Sequence, residues 1–518
     1  MPEFAHQTLA LPLGEAIDGG ALVQAAGFGY VADMPEALMT AYLDTFDGRV
    51  FRSGQVLIFH EKPRARILEW GLLAGSKGTR AAVAHIPRWS CDLPRGAGTL
   101  RDAIGVRVLT PVVTVHGQRR VFRIIDGLEK TVARVSTISG RIRHAEGEAE
   151  MPQLVRVEPL KGFEWAGVSI EEAITAALPN AQKVPNEFEA LARVAKIDPR
   201  GYDAKLALPL EPSVPAGAAA AMLFRAAYET MVATLPGTRA GIDSEFLHDF
   251  RVAVRRSRSW LSRLKQVLDV DLLEHMKQEL HWLGGVTGPV RDLDVSILLL
   301  DAYRKALPER DAGALAVLED HILFARRRAQ RRLDQALDTE RFAKLIRRWP
   351  NWLTNMERAS MPAAREPVIT VARGVIAKQS KRVCRQGRVI DANTPAEALH
   401  ALRIECKKLR YLLEAFGPLF DEAGMATLIR GLKRLQDNLG AFQDCEVQST
   451  ALREYAHEIG AKRADTIDAQ LAMGRLVERL DSRQTAEREQ FVETWSRFDN
   501  KPNQAFMKTA FGYAAKRR

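Results

Sequence analysis

Leu247-His248-Asp249-Phe250-Arg251-Val252-Ala253-Val254-Arg255-Arg256-Ser257-Arg258 is the stretch whose reading decides the fold, because the chain contains it twice. Leu399-His400-Ala401-Leu402-Arg403-Ile404-Glu405-Cys406-Lys407-Lys408-Leu409-Arg410 repeats the same order of residue types, with His400 lying 152 positions after His248. Arg251 matches Arg403, the pair Arg255-Arg256 matches Lys407-Lys408, and Arg258 matches Arg410. One basic stretch reads as a solvated helix face. Two that agree at every cationic position ask for a common cause.

On a helix turning by about 100° per residue, His248, Arg251, Arg255 and Arg258 fall within an arc of roughly 80°. Leu247, Phe250, Val254, Leu261 and Leu264 fill a separate arc centred roughly 110° away. Leu399, Leu402, Cys406, Leu409, Leu413 and Phe416 do the same in the second copy. Each helix is therefore expected to bury one face and to line up cations along another. Like charges spaced three and four residues apart repel by a few tenths of a kcal/mol per pair. Accepting that cost twice points to an anion that relieves it.

The rest of the chain bounds this reading. Its 518 residues suffice for two or three domains. The formal charge is +11, but residues 1–200 hold 24 basic and 23 acidic side chains against 51 and 41 in residues 201–518. The anionic partner is expected in the second part. Cys91, Cys384, Cys406 and Cys445 form no CxxC or other metal-ligand spacing, which suits a reducing compartment. With no uninterrupted apolar run of about 18 residues, no membrane span is expected, and the location is read as cytoplasmic.

Short β-prone runs (Val50-Phe51, Gln55 to His60, Ile67 to Leu73, Val106 to His116, Val121 to Ile125, Thr131 to Ile138) fill the first part. Glycines and prolines punctuate them. Beyond Pro179, prolines at 185, 199, 209, 212 and 215 mark a connecting stretch over about 180–217. The expected organisation is multidomain α+β: a strand-rich domain over 1–200, a linker at 201–216 and an all-α domain over 217–518. The last consists of repeats at 217–360 and 365–518, each the size of a four-helix bundle. Within them a helix from Ala218 to Leu235 is expected to break at Pro236-Gly237. The first motif helix is expected over Ser244 to Leu268, and a third helix over Leu272 to Thr287 leads into Gly288-Pro289-Val290-Arg291-Asp292. Gly288 and Gly440, and Asp292 and Asp444, keep the offset of 152, so the unit is duplicated.

His-x-x-Arg-x-x-x-basic-basic-x-Arg, twice, each followed by Gly-x-x-x-Asp, resembles the CHAD (conserved histidine α-helical domain) family over about residues 215–510. The resemblance implies two four-helix bundles related by an approximate two-fold, with the motif helices facing a basic groove or pore. It further implies binding of inorganic polyphosphate and association with polyphosphate granules. Upstream, Tyr42-Leu43-Asp44-Thr45-Phe46-Asp47 followed by Phe51-Arg52-Ser53-Gly54-Gln55-Val56-Leu57 is similar to the strand–turn–strand of CYTH domains, the triphosphate tunnel fold. Gln118-Arg119-Arg120-Val121-Phe122-Arg123 looks like that family's later basic strand. Active members open with Glu-x-Glu-x-Lys. Here Phe4 to Ala10 supplies only Glu3 just ahead of it and no lysine, and Leu154 to Glu158 keeps one glutamate. The domain is therefore expected to be a degenerate CYTH-like barrel without metal or catalytic residues, and no cofactor is expected.

Arginine grips phosphate oxygens with a planar fork of donors, whereas lysine acts as a point charge. Arg251, Arg255, Arg258, Arg403, Lys407 and Arg410 are the expected first contacts. Arg256 and Lys408 would reach from the rim, Lys433 from an adjacent helix, and His248 and His400 as ring donors. Arg326 to Arg332 are expected at the surface. Asp292 and Asp444 would orient motif arginines by ion pairing or cap a following helix. Two other functions stay open: a metal-dependent triphosphatase or polyphosphatase in the first domain, and nucleic-acid binding through the same cations. The latter would want aromatics interleaved with the basic arc, where Tyr411 stands nearly alone, so nucleic acid is expected to bind weakly, at low salt. The residues leave the oligomeric state open.

Overall fold

A computed structural model of the protein describes residues 7–62, 65–73, 78–145, 147–184, 186–202, 208–358, 361–461 and 466–512. The chain separates into two compact units, 1–203 and 204–518.

The first unit is built on one antiparallel sheet of eleven strands. These are β1 (Gln7–Ala10), β2 (Gly29–Ala32), β3 (Glu36–Thr45), β4 (Gln55–Lys62), β5 (Ala65–Leu72), β6 (Thr79–Ala82), β7 (Leu109–Ile125), β8 (Thr131–His144), β9 (Gly147–Glu150), β10 (Leu154–Pro159) and β11 (Gln182–Val184). The order is β11-β1-β10-β8-β7-β3-β4-β5-β6, with β2 on β7 and β9 on β8. Thr8 and Val184 from one end of this order and Ile67 and Arg80 from the other line a single cavity, so the sheet curls around it. The Glu3 to His6 part of the expected opening strand lies outside the described residues.

Three expectations change here. Val50-Phe51 belong to a helical turn, Arg49–Arg52, instead of a strand. Asp44 holds that turn: its buried carboxylate accepts from the backbone N–H groups of Thr45, Val50 and Phe51 at 2.6, 2.8 and 2.9 Å. Residues 106–116 and 121–125 are not two strands, because β7 runs unbroken through Gly117. Gly117 pairs with Gly140 of β8, and a Cβ at Gly117 would stand 2.0 Å from the Ser139 carbonyl oxygen. The glycine marks a close approach and not a turn. The connection is also shorter than the prolines suggest. β11 pairs with β1, and the helix Glu187–Val194 packs Phe188 and Leu191 into the same unit, capped by Asn186.

The second unit is helical. Its main helices are α1 (Ala216–Ala240), α2 (Ser244–Arg263), α3 (Val270–Ala306), α4 (Ala316–Leu337), α5 (Glu340–Glu357), α6 (Val368–Gly387), α7 (Ala396–Phe416), α8 (Glu422–Gly460), α9 (Ile467–Phe498) and α10 (Lys501–Phe511). α6, α7 and α8 each begin 152 residues after α1, α2 and α3. The helices of the two sets share one large core, and the far ends of α3 and α8 meet α4 and α9 in a second one. A reciprocal backbone pair joins the halves: Ala216 N–H donates to the Glu366 carbonyl at 2.9 Å, and Val368 N–H to that of Val214 at 2.8 Å. These four positions are themselves 152 apart in pairs, which places an approximate two-fold between Pro215 and Pro367.

Neither expected proline break occurs. Pro236 lies inside α1 and Pro289 inside α3. Proline removes one hydrogen bond and pushes on the carbonyl four residues back. For Pro289 that residue is Gly285, which has open space around it; for Pro236 it is Val232, whose side chain is exposed. The first motif helix ends at Arg263; Leu264 N–H donates to the Trp260 carbonyl at 2.7 Å, and Val267 N–H to the Leu264 carbonyl at 2.9 Å.

Candidate anion-binding site

Both motif helices bury the apolar arc read from the sequence. Leu247, Phe250, Val254, Leu261 and Leu264 are at most 3% exposed, as are Leu399, Leu402, Cys406, Leu409, Leu413 and Phe416. Asp243 caps α2 by accepting from Glu245 N–H at 2.7 Å. α2 and α7 are tied together directly. Trp260 Nε1 donates to the Tyr411 carbonyl at 3.4 Å, Arg256 pairs with Glu414 at 3.4 Å, and Arg263 pairs with Glu405 at 3.1 Å.

The cations therefore sort into two groups. Arg256 and Lys408, expected at the rim, are each held by a glutamate: Glu414 for Arg256, and Glu405 at 2.7 Å for Lys408. Glu405 also accepts from Gln379 at 2.8 Å and faces Arg382 at 3.5 Å, so this buried carboxylate gathers cations from three helices. These residues hold the two motif helices in register.

The other cations face one another. Arg251 donates to the Gly284 carbonyl at 2.9 Å and to Thr287 Oγ1 at 2.8 Å, and no carboxylate among the described residues is in direct contact with it. Burial and the neighbouring Arg255, Arg291 and Arg258 disfavour its charge, against the pull of Asp292. Arg258 is exposed and meets the His281 ring at 3.4 Å. Arg403 pairs loosely with Asp444 at 3.6 Å, and Arg410 with Glu414 at 2.6 Å. Arg255 and Lys407 make no ion pair or side-chain hydrogen bond among the described residues. Burial pushes the Lys407 amine down to about 8, helped by Arg403, Arg255 and Arg410 and opposed by Asp444. Arg255 belongs to the other motif helix, so the two rows are close enough to repel across the pseudo-two-fold. The Nε atoms of Arg251, Arg255 and Arg403 are buried with no acceptor.

The two histidines sit in matched but unequal surroundings. His248 is partly buried, and burial with Arg291 and Arg255 holds it below the ordinary histidine range, against Glu245 and Asp249. His400 is exposed, and its Nδ1 stands 2.6 Å from Gln443 Oε1. Gln443 Nε2 donates to Glu446 at 3.3 Å, which fixes the amide so that its oxygen faces the ring and Nδ1 is the donor. Position 443 is the equivalent of 291, so one position faces the motif histidine in both copies. Arg291, Gln443, Glu405 and Glu414 carry the site's organisation and were not singled out from the sequence. The offset of 152 pairs Arg291 with Gln443 and could have found them.

Lys433 is exposed on α8, at the position equivalent to His281. Asp292 and Asp444 lie inside α3 and α8, so neither caps a helix; each stands near the motif arginine of its own copy. Arg326 is not a surface residue: it pairs with the buried Asp294 at 3.1 Å and reaches the Gly241 carbonyl. Arg327, Arg328, Arg331 and Arg332 are exposed.

The cavity of the first unit, about 200 Å³, has a different character. Arg119 lines it, opposite Glu158 at 3.7 Å. Arg156 pairs with Glu187 at 2.5 Å and Glu158 at 3.5 Å, and Tyr42 donates to Glu187 at 3.0 Å. Glu69 is held down to about 2 by His60 and Arg80, despite its burial, and Lys62 pairs with Glu36 at 3.4 Å. Arg52, Arg120 and Arg123 turn elsewhere, to the Arg200 carbonyl, Asp18 and Asp33. A divalent ion bridging phosphate needs several free hard oxygens. Each carboxylate in this cavity already faces a cation, and no group of three or more His, Cys, Asp or Glu is placed to hold a metal among the described residues. The residues present do not fit that ion. No helix among them is long and apolar enough to cross a membrane.

Comparison with known proteins places the second unit. The first unit is similar in part to a putative adenylate cyclase of Bacillus halodurans, at 14% identity and a TM-score of 0.24, over 36% of this chain and 95% of that one. The chain is 28% identical over 228 residues to uncharacterized proteins from two strains of Mycobacterium tuberculosis, covering 42% of this chain and 42% of each of them. Less than half the length of those relatives is thus matched. The CHAD domain of the plant Ricinus communis is similar at 24% identity and a TM-score of 0.48, over 56% of this chain and 94% of that one. PptA from Streptomyces chartreusis is similar at 21% identity and a TM-score of 0.42, over 54% and 99%. The CHAD domain family matches residues 222–453, which hold both copies of the histidine–arginine motif. The helical unit of this chain carries a CHAD domain.

Proposed function

We propose that the protein binds inorganic polyphosphate through the facing cations of the two motif helices. The observation that carries this reading is the pair Arg255 and Lys407, one from each copy. Both are half-buried, close enough to depress the lysine, and without a carboxylate partner among the described residues. Such a cluster is costly when empty and is relieved by an anion with oxygens on all sides. A chain of phosphoryl groups supplies one charge after another and can span both copies, with arginine forks taking paired oxygens. Arg251, Arg258, Arg403, Arg410, His248 and His400 extend the row in both directions, and Lys433 adds an exposed charge on α8. Attachment to polyphosphate granules follows as the cellular expectation.

The ligand class is tested by titrating long-chain polyphosphate into the full chain at about 150 mM salt, where loose electrostatic binding is largely screened, with duplex DNA as competitor. Submicromolar binding that DNA does not displace is the expected result. Displacement by equal concentrations of DNA phosphate would contradict the reading and favour a nonspecific polyanion surface.

A further inference from the structure

The cavity of the strand-rich unit holds a chain of three side chains that its balance of charge does not account for. Thr40 on β3 and His60 on β4 are direct partners in the antiparallel register. Glu69 on β5 pairs with Ile58, one same-face position along β4 from His60. All three line the cavity. Thr40 Oγ1 stands 3.1 Å from His60 Nδ1, and His60 Nε2 stands 3.3 Å from Glu69 Oε2. Arg80 donates to the same Glu69 oxygen at 2.8 Å. Against the cost of burial, His60 and Arg80 keep Glu69 ionised, so its carboxylate can only accept. With the ring neutral, Nε2 then carries the proton, Nδ1 presents a lone pair, and the Thr40 hydroxyl donates to it. A hydroxyl on the lone pair of an imidazole whose other nitrogen is held by a carboxylate is the arrangement of an activated nucleophile.

The surroundings select the substrate. Lys62 is the next residue after His60 on the same face of β4 and lines the same cavity. Its ammonium has three donors, and Glu36 engages it at 3.4 Å, which leaves donors for a developing oxyanion. Val56, Ile58, Val115, Leu154 and Phe188 supply an apolar wall. The cations here already face carboxylates, so an anionic substrate gains little, and a cavity of about 200 Å³ admits only a small molecule.

We propose that Thr40, His60 and Glu69 act as nucleophile, base and positioning carboxylate in the hydrolysis of small uncharged carboxylic esters. The new bond is Thr40 Oγ1 to the carbonyl carbon, and the bond broken is that carbon to the oxygen of the leaving alcohol. The hydroxyl proton passes to His60 Nδ1 and from there to the departing oxygen, which keeps the electron pair. Water then attacks the same carbon, its proton returns through His60 to Thr40 Oγ1, and the carboxylic acid leaves. Water is the only co-reactant. Neither step depends on the polyphosphate reading.

The test gives the full-length protein p-nitrophenyl acetate for turnover and p-nitrophenyl dimethylcarbamate, whose adduct hydrolyses slowly, for labelling. Peptide mass spectrometry should find the carbamoyl group on Thr40. Thr40→Val and His60→Gln should each lower turnover at least about 100-fold, while Thr40→Ser should stay within about tenfold. Glu69→Gln should lower kcat at least about tenfold and leave KM within about twofold, a split that loss of folding does not give. Denaturant unfolding reports which variants remain folded, and the labelling of the unaltered protein does not depend on them. No carbamoyl group on Thr40, turnover no faster than the uncatalysed reaction, or full activity in a folded Thr40→Val protein would overturn the proposal.

Discussion

The cavity of the strand-rich unit and the motif rows of the helical unit both gather cations and dispose of them in different ways. In the cavity every cation has a carboxylate: Arg119 with Glu158, Arg156 with Glu187, Arg80 with Glu69, Lys62 with Glu36. In the helical unit the pairing is uneven, and on the motif rows Arg403 and Arg410 also meet a carboxylate, Asp444 and Glu414. Arg256, Arg263 and Lys408 are consumed by Glu414 and Glu405, while Arg255 and Lys407 are left to repel. The motif helices carry more basic residues than the cavity, but the count alone does not say which of them are free to bind. What separates them is where the acids stand, and an anion can gain much only where the cations are not already satisfied.

Changes in the cavity should therefore act on stability, and changes in the rows on binding. The largest effect is expected for Arg156→Ala, which strands the largely buried Glu187 and should cost the strand-rich unit about 3 kcal/mol in denaturant unfolding. The double change Arg156→Met/Glu187→Leu should recover most of it; no recovery would mean the pair is not what holds the cavity. Next, Arg255→Glu/Lys407→Glu should weaken polyphosphate binding about 100-fold, equivalent to about 2.8 kcal/mol.

The pH dependence follows from Lys407. Its folded pKa of about 8 lies below the unfolded value near 10.5, so the folded state disfavours the charged amine. The free protein should gain stability from this group as pH rises through about 8 to 10.5, and lose that gain as pH falls through 8. Bound polyanion raises the same pKa, so affinity should drop severalfold between pH 7 and 9, with proton uptake on binding near pH 8 to 9 measurable by calorimetry in two buffers. Lys407→Met should flatten both profiles. The smallest effect is expected for Asp444→Asn, which removes the exposed carboxylate beside Arg403 and should tighten binding about threefold in the same titration.

Much of the helical unit could be read from its sequence, because duplication makes each observation count twice. The offset of 152 fixes the starts of α6, α7 and α8 from those of α1, α2 and α3, and the apolar arcs are buried at every named position. What escaped was long-range pairing. Nothing local to Arg256 says that Glu414, on the other motif helix, will neutralise it, nor that Arg326 will reach buried Asp294. Pro236 and Pro289 misled because the proline rule concerns the carbonyl one turn back, and here Val232 and Gly285 tolerate its displacement. In the strand-rich unit Gly117 read as a turn although it faces Gly140 across a continuous hairpin. Glu187 was overlooked because it sits in a stretch read as connection, yet its helix supplies the carboxylate that closes the cavity's charge balance.

The central claim is that anion binding belongs to the unsatisfied rows and not to the satisfied cavity. A side-by-side titration of polyphosphate into the full chain, Arg255→Glu/Lys407→Glu and Arg119→Gln tests it most directly, at one salt concentration and pH 7. The account predicts a loss of about 100-fold for the first variant and a change of less than about twofold for the second. Equal losses in both, or a larger loss for Arg119→Gln, would contradict it and move the binding site to the strand-rich unit.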